Sequence, residues 1–363
     1  MRGFSIRPFA ESDIDQTAEL HRRGFQLPES PGQLEAYRSY FRNTYLESDS
    51  VDADCPSLVA VDDEGRITGF LGVVIRSMSL GNNRIRAALS SQFIVDPKAR
   101  TLLAGIELLK RFLSGPQDLS FTDEAVERSV ILWERLGGVR SALHSLHWIL
   151  PLRPAALLMW RMRSHGSIIL PTLAQPFTFA SDKLTNLFIR RRRPSNARRL
   201  QHETQDPGLL IENLQLVRNE WALMPHYTHQ SLEKLIAVAR SCTTFGEFRS
   251  ISLREQSGRT AGWYTYYTNP GGLSEVIQIA ARTGLEVEVM ADLIQNALSE
   301  GVAGLIGRMD SRFQQAIARS MCAVSPRQSF MLLHSRDPQL VRLISSGLAF
   351  LTRLEGEWCL RFH

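Results

Sequence analysis

The segment SQFIVDPKARTLLAGIELLKRFL, residues 91–113, ends an apolar, strand-like run at Asp96 and Pro97. It resumes as a helical pattern whose first turn carries Arg100, Thr101, Ala104 and Gly105. A helix that starts here presents unpaired backbone N–H groups and the positive end of its dipole. Both suit a phosphate, so the first chemistry the chain suggests is the grip of a nucleotide-like cofactor. Other candidate groups form poorer patterns. His144 and His147 in HSLHW are three apart and could share a helix face, but no third ligand accompanies them, so packing or surface roles are favoured. Cys55, Cys242, Cys322 and Cys359 lie far apart without a CxxC or Cys/His pairing. They read as reduced structural thiols, and no metal site is expected. The run IRRRRPSNARRL holds Arg190, Arg191, Arg192, Arg193, Arg198 and Arg199 without one acid. Such a run can grip phosphate backbones or anionic lipid. No aromatic residue interleaves it to stack bases, so a solvated linker is the favoured reading.

The elements that must position these residues belong to a chain of 363 residues, which is long for one core and suits two domains plus a linker. Hydrophobic residues make up 44% and charged residues 22%, the composition of a folded protein and not of a disordered one. The N-terminus, MRGFSIRPFAESD, lacks the apolar core of a secretion signal. The most apolar segment, WILPLRPAALLMW, has 13 residues with two prolines and an arginine, short of the roughly 20 needed to cross a bilayer. A cytoplasmic location and no membrane partner are expected.

Along the chain, FSIRPF alternates as a strand, and a helix follows from Ser12 or Asp13. The turn residues Asp62, Asp63, Glu64 and Gly65 separate two β-rich runs as in a hairpin. A third strand, RIRAALSSQFIV, leads into the helix on which Leu102, Ile106, Leu109 and Leu113 share a face. Then come the strand DLSFTD and the helix VERSVILWERL, closed by Gly137 and Gly138. This order predicts an α/β sandwich. Residues 139 to about 205, rich in proline, show no periodicity and read as the end of one domain plus a connection. The second half repeats the outline: a hairpin about Gln256, Ser257 and Gly258, the strand SEVIQIAAR, the helix VEVMADLIQNALSEG, the strand AGLIGRMD and the helix SRFQQAIARSM. Phe93 to Phe121 spans 28 residues and Ile277 to Ile306 spans 29, which supports a tandem duplication. The terminal RLEGEWCLRFH reads as a closing strand with Trp358 buried and Cys359 on the opposite face.

With Val95, Pro97, Arg100 and Gly105 in FIVDPKARTLLAGIELL, and Leu136 and Gly137 in WERLGG, residues 4 to about 140 resemble the GNAT family of N-acetyltransferases. The resemblance implies two tandem GNAT-like mixed-sheet domains with helices on both faces. They would be a cofactor-binding domain at 1–165, a linker at 166–208 and a degenerate second domain at 209–363. It implies acetyl-CoA as cofactor. Backbone groups of Phe93 and Val95 would pair with the pantetheine amides, and residues Arg100, Thr101, Leu102, Leu103, Ala104 and Gly105 would hold the pyrophosphate. Glu124 and Asp123, just after the strand DLSFT, are the nearest candidates for a general base; either could equally be the N-cap of the next helix, and for Asp123 that role is favoured. Two residues depart from the family pattern. Leu103 stands where glycine is usual, and Trp133 stands where a tyrosine commonly protonates the leaving thiolate. An indole N–H is not a usable acid near neutral pH, and a core role for Trp133 is the simpler one. In the second half Glu286 and Glu288 would repel a pyrophosphate, so that half is expected not to bind CoA.

The function so implied is transfer of an acetyl or similar acyl group from CoA to an amine on a small molecule or peptide, by direct attack of the neutral amine. The alternative is a GNAT-like ligand-sensing or interaction protein without catalysis. A transferase that uses aminoacyl-tRNA is also built from two such halves, and there the arginine run would bind RNA; nucleic acid is not the favoured partner. A homodimer is compatible with any of these readings.

Overall fold

The computed structural model describes residues 4–26, 32–96, 102–164, 200–326 and 329–360. The arginine run, Arg100 and Thr101 lie outside the described residues.

The first half supplies β1 (Phe4–Pro8), α1 (Ile14–Gly24), α2 (Gln33–Tyr45), β2 (Leu58–Asp62), β3 (Ile67–Leu80), β4 (Asn83–Val95), α3 (Leu102–Leu113), β5 (Leu119–Ala125), α4 (Glu127–Arg135), β6 (Val139–Arg140), β7 (Leu146–Pro151) and α5 (Pro154–Ser164). The second half supplies β8 (Gln201–Thr204), α6 (Pro207–Leu216), β9 (Leu223–Pro225), α7 (His229–Ser241), β10 (Glu247–Arg254), β11 (Thr260–Thr268), β12 (Leu273–Ala281), α8 (Glu286–Ser299), β13 (Gly304–Arg308), α9 (Gln314–Arg319), β14 (Ala323–Pro326), β15 (Phe330–His334) and α10 (Pro338–Ser345).

These strands form two mixed sheets. One has the order β1-β2-β3-β4-β5-β15-β6, with β9 added along β3; the other has the order β14-β7-β13-β12-β11-β10-β8. In the first sheet, α1 and α2 cover one face through Ile14, Ala18, Tyr37, Phe41 and Tyr45 against Phe70 and Val74. On the opposite face, α3 and α4 pack Ala104, Leu108, Phe112, Val130 and Trp133 against Val73 and Ala88. Two helical layers around a mixed sheet are what the alternation of strand and helix periodicity demands.

The halves exchange strands. Antiparallel pairing joins β7 of the first half to β13 and β14, and joins β15 of the second half to β5 and β6. Residues 146–151 lacked a readable pattern because their partners lie more than 150 residues away (Ile149 to Ile306, 306 − 149 = 157). Strand pairing at such a separation leaves no trace in local periodicity.

Three expectations are corrected. Asp123 is not the N-cap of α4: it lies within β5, and Val126 holds the cap position without a side-chain bond. His144 and His147 share no helix face, because His144 sits in a 3-10 turn and His147 in β7. The terminal residues form a 3-10 turn, Glu357–Leu360, and not a closing strand. The turn forms because the Glu357 N–H donates to the Asp123 carboxylate (2.6 Å) instead of to a neighbouring strand. Trp358 is fully buried all the same, against Phe245 and Tyr267.

Candidate functional site

The site starts from a parting of two parallel strands. β4 and β5 pair at Ala87 with Leu119, Ala88 with Ser120 and Leu89 with Phe121. On its other edge β5 pairs with β15 along its length, from Ser120 opposite His334 to Ala125 opposite Phe330. β4 runs on to Val95 without a strand partner on that side among the described residues. The cause is local to β4. Gln92 adopts φ 51°, in the left-handed region, and the pairing with β3 slips between Phe70–Ile94 and Gly72–Ser91. An extra residue of this kind bends a strand and increases its twist. Phe93 and Val95 therefore lie on the free stretch of β4.

α3 starts beside this stretch. A Cβ on Gly105 would stand 3.2 Å from Val95 Cγ2 and 3.5 Å from Phe93 Cζ, so the glycine lets the helix lie close on the strand. Ala104 is fully buried in the α3–α4 core. Leu103 is 57% exposed, so its side chain points out of that core. Leu102 opens the helix.

The parting is filled from the opposite face by the C-terminal turn. The Leu360 carbonyl accepts from the Tyr40 hydroxyl of α2 and from Gln92 Nε2 (3.2 Å). Gly356 passes so close to β5 that a Cβ there would collide with the Asp123 carboxylate. One Glu357 oxygen accepts from the Thr122 hydroxyl and from the Glu124 backbone N–H (3.3 Å). Three carboxyl groups, Asp123, Glu124 and Glu357, thus converge at the end of β5. Asp123 is buried and ion-paired with Arg308 of β13 (2.6 Å). The Glu357 carboxyl is pushed up to about 8, first by burial and then by the charge of Asp123, with Glu124 contributing further. A buried second cation, Arg353, pairs with Glu275; burial opposes its charge, and Glu275, Glu124 and Asp123 restore it.

Both sequence-derived carboxylates are therefore brought to the parting, in different situations. Asp123 is committed to Arg308 and to the terminal turn, while Glu124 flanks Glu357. Glu357 itself went unnoticed in the sequence, where it is one of two acids, with Glu355, in a tail that read as a strand. Trp133 lies in the core at 1% exposure, edge-on to Phe112 at 6.1 Å, and offers no group to the parting. His144 is held neutral: burial, then the Arg308 charge, push it down to about 3. Among the described residues no cluster of His, Cys, Asp and Glu is placed to hold a metal ion, and no helix is long and apolar enough to cross a membrane.

On the α2 side, beside the terminal turn, lies a cleft of about 1040 Å³ lined by α2, β3, α7 and the tail, including Tyr40, Arg76, Tyr227, Lys234 and Leu360. The second half shows the same parting between β12 and β13, whose last parallel rung joins Val276 to Gly307. There the Ile277 carbonyl accepts the Arg353 N–H (3.1 Å), so the tail also lies against that parting. At the start of α8, the Glu286 carboxylate accepts the Gly284 N–H (2.9 Å) and pairs with Arg312 (3.2 Å). A carboxylate thus stands where a phosphate would be sought.

The sequence of residues 5–116 matches the acetyltransferase (GNAT) domain family. That match identifies a GNAT domain in the first third of the chain. The two-sheet fold has the form of tandem GNAT-like domains. No curated protein matches the chain. Among solved structures, a conserved protein of unknown function from Enterococcus faecalis V583, a probable N-acyltransferase, is similar at TM-score 0.59 and 9% identity, over 92% of this chain and 73% of that one. A GCN5-related N-acetyltransferase from Anabaena variabilis is similar at TM-score 0.57 and 14% identity, over 91% and 72% of the two chains. N-myristoyltransferase of Saccharomyces cerevisiae, with bound myristoyl-CoA, is similar at TM-score 0.50 and 9% identity, over 92% and 80%. At these identities the likeness concerns the fold, and the GNAT domain points to acyl transfer in general.

Proposed function

We propose that this GNAT protein transfers an acyl group, with acetyl-CoA as donor, to an amine acceptor. The observation that carries the proposal is the parting of β4 from β5, with the start of α3 on one face and the half-buried Glu357 carboxyl group, with a cleft beside its turn, on the other. The residues fit the cofactor. The free stretch of β4 at Phe93 and Val95 offers backbone groups to the amides of a pantetheine arm, as an added strand would. N–H groups at the start of α3 suit a pyrophosphate, and Gly105 keeps that helix close to the strand. When bound, acyl-CoA supplies an activated thioester and a thiolate leaving group.

The remaining roles fall to the protein. A carboxyl group at about 8 exchanges protons readily with an ammonium and with a thiolate, because its affinity for the proton is close to theirs. Glu357 is thus the group we assign to proton transfer in place of the absent phenol, with Glu124 beside it. Asp123 acts as a positioning residue, fixing the turn that carries Glu357 through its bonds to the Glu357 N–H and to Arg308.

The terminal turn in the parting and the core position of Trp133 also favour a second reading, a protein that binds acyl-CoA without turnover. Two measurements decide. Acetyl-CoA should raise the melting temperature, since a ligand at a hundredfold excess over its dissociation constant adds about 2.7 kcal/mol. Release of free CoA thiol in the presence of an amine panel should then follow, and should fall at least tenfold in Glu357→Gln. Absence of a thermal shift at millimolar acetyl-CoA overturns both readings. A shift without thiol release from any amine selects the second.

A further inference from the structure

Three cations, Arg76, Arg84 and Lys234, and two carboxylates, Asp49 and Glu355, line the cleft beside the terminal turn. Lys234 of α7 is matched by Asp49 at 2.6 Å across the opening. The Glu355 carboxylate is occupied by the Tyr227 hydroxyl, the Thr352 N–H (2.7 Å) and the Thr352 hydroxyl (2.6 Å). Arg76 of β3 differs. Its Nε donates to the Glu355 carbonyl (3.1 Å) and its Nη1 to the Ser50 hydroxyl (3.3 Å), both neutral acceptors. Its Nη2 is buried and has no hydrogen-bond partner among the described residues. Arg84 adds a second positive charge to the lining.

A buried N–H of a charged group is costly to leave without an acceptor, and such exceptions call for an explanation. A guanidinium that uses one edge for neutral oxygens and keeps a further N–H free is suited to a planar or tetrahedral oxyanion. The cleft, at about 1040 Å³, is at the large end for small-molecule sites. It adjoins the turn that carries Glu357, through Leu360 and Glu355 in its wall.

We infer that the acceptor is an amine that also carries a carboxylate or phosphate group, and that Arg76 holds this anion while the amine faces the terminal turn. Arg76 is then a specificity-determining residue of the acceptor site. This inference rests on the acyltransferase reading for the word acceptor, but the anion site can be tested without the cofactor.

Matched probe pairs serve: L-phenylalanine with L-phenylalaninamide for the carboxylate, and O-phospho-L-serine with L-serine for the phosphate. Thermal shift without acetyl-CoA should show at least one anionic probe binding with an apparent dissociation constant tenfold or more below that of its neutral partner. The preferred pair tells carboxylate from phosphate. Arg76→Met should abolish the preference, while Arg240→Ala, an exposed arginine of α7 outside the cleft lining, should keep it. If Arg76→Met does not fold, the acid-against-neutral comparison on the parent protein still decides. Equal binding of acids and neutral partners, absence of binding by every anionic probe, or an undiminished preference in folded Arg76→Met would each overturn the inference. Acetyl-CoA binding is read separately, so loss of the cofactor claim and loss of the anion site are told apart.

Discussion

Replacing Glu357 by glutamine should make the protein more stable at alkaline pH, and the structure sets both the sign and the ceiling. The carboxyl group stands at about 8 against an ordinary 4.5, chiefly because it is buried and then because Asp123 and Glu124 are close. Below the ordinary value both folded and unfolded chains hold the proton, and the group contributes its full share to stability. As pH rises from there to about 8, the unfolded chain releases the proton and the folded one keeps it, so stability is lost across that window and levels off above it. At about 1.4 kcal/mol per pH unit the gap corresponds to at most about 5 kcal/mol. Glutamine keeps the acceptor oxygen that Thr122 and the Glu124 N–H use, and it removes the titration. With about 2.1 cal/mol/K of unfolding entropy per residue, the 363 residues amount to about 0.8 kcal/mol/K, so the ceiling is about 6 °C. The assay is the melting temperature of both proteins from pH 4.5 to 9. The difference should grow in favour of Glu357→Gln with rising pH and flatten above 8. A difference that stays constant across this range, or that grows towards acid, refutes the reasoning.

Gly105→Val should lower stability by about 1–3 kcal/mol through collision with Val95 and Phe93, and should remove the acetyl-CoA shift; Glu107→Ala should leave that shift in place, and retention of full acetyl-CoA affinity by the valine variant would refute the role of the α3 start. Arg308→Met strands the buried Asp123 carboxylate and should cost about 3–5 kcal/mol by chemical denaturation, with much of the loss recovered when Asp123→Asn is added. Trp133→Tyr should change the rate of thiol release no more than its loss of core packing changes stability, because the side chain lies against Phe112; a pH-rate profile with a new limb above 9 would show instead that this position reaches the reacting atoms.

Elements whose stabilising contacts are local are legible in the order of residues alone. The β2–β3 hairpin, α3, β5 and α4 follow from period and turn chemistry, although α3 buries Ala104, Leu108 and Phe112 with the expected Leu109 and Leu113, and Ile106 only in part. So do β10 to β13 and the closely similar spacing of the two halves. The approach of α3 to β4 was likewise readable from Gly105, where a Cβ would stand 3.2 Å from the Val95 side chain. The pairings between distant segments are settled only on folding. β7 and β15 are short apolar runs that read alike in a helix or a strand, and each finds its partners in the other half. The terminal residues look like a strand by alternation, but the Asp123 carboxylate takes the Glu357 N–H and Gly356 allows the close passage, so a turn forms. The same convergence changed the candidate site. Asp123 and Glu124 were visible as neighbours at a strand end, while the acid that burial displaces most among them stands more than 230 residues later in the chain, 357 − 124 = 233. A pKa is set by desolvation and by the charges that folding gathers, and a linear sequence records neither.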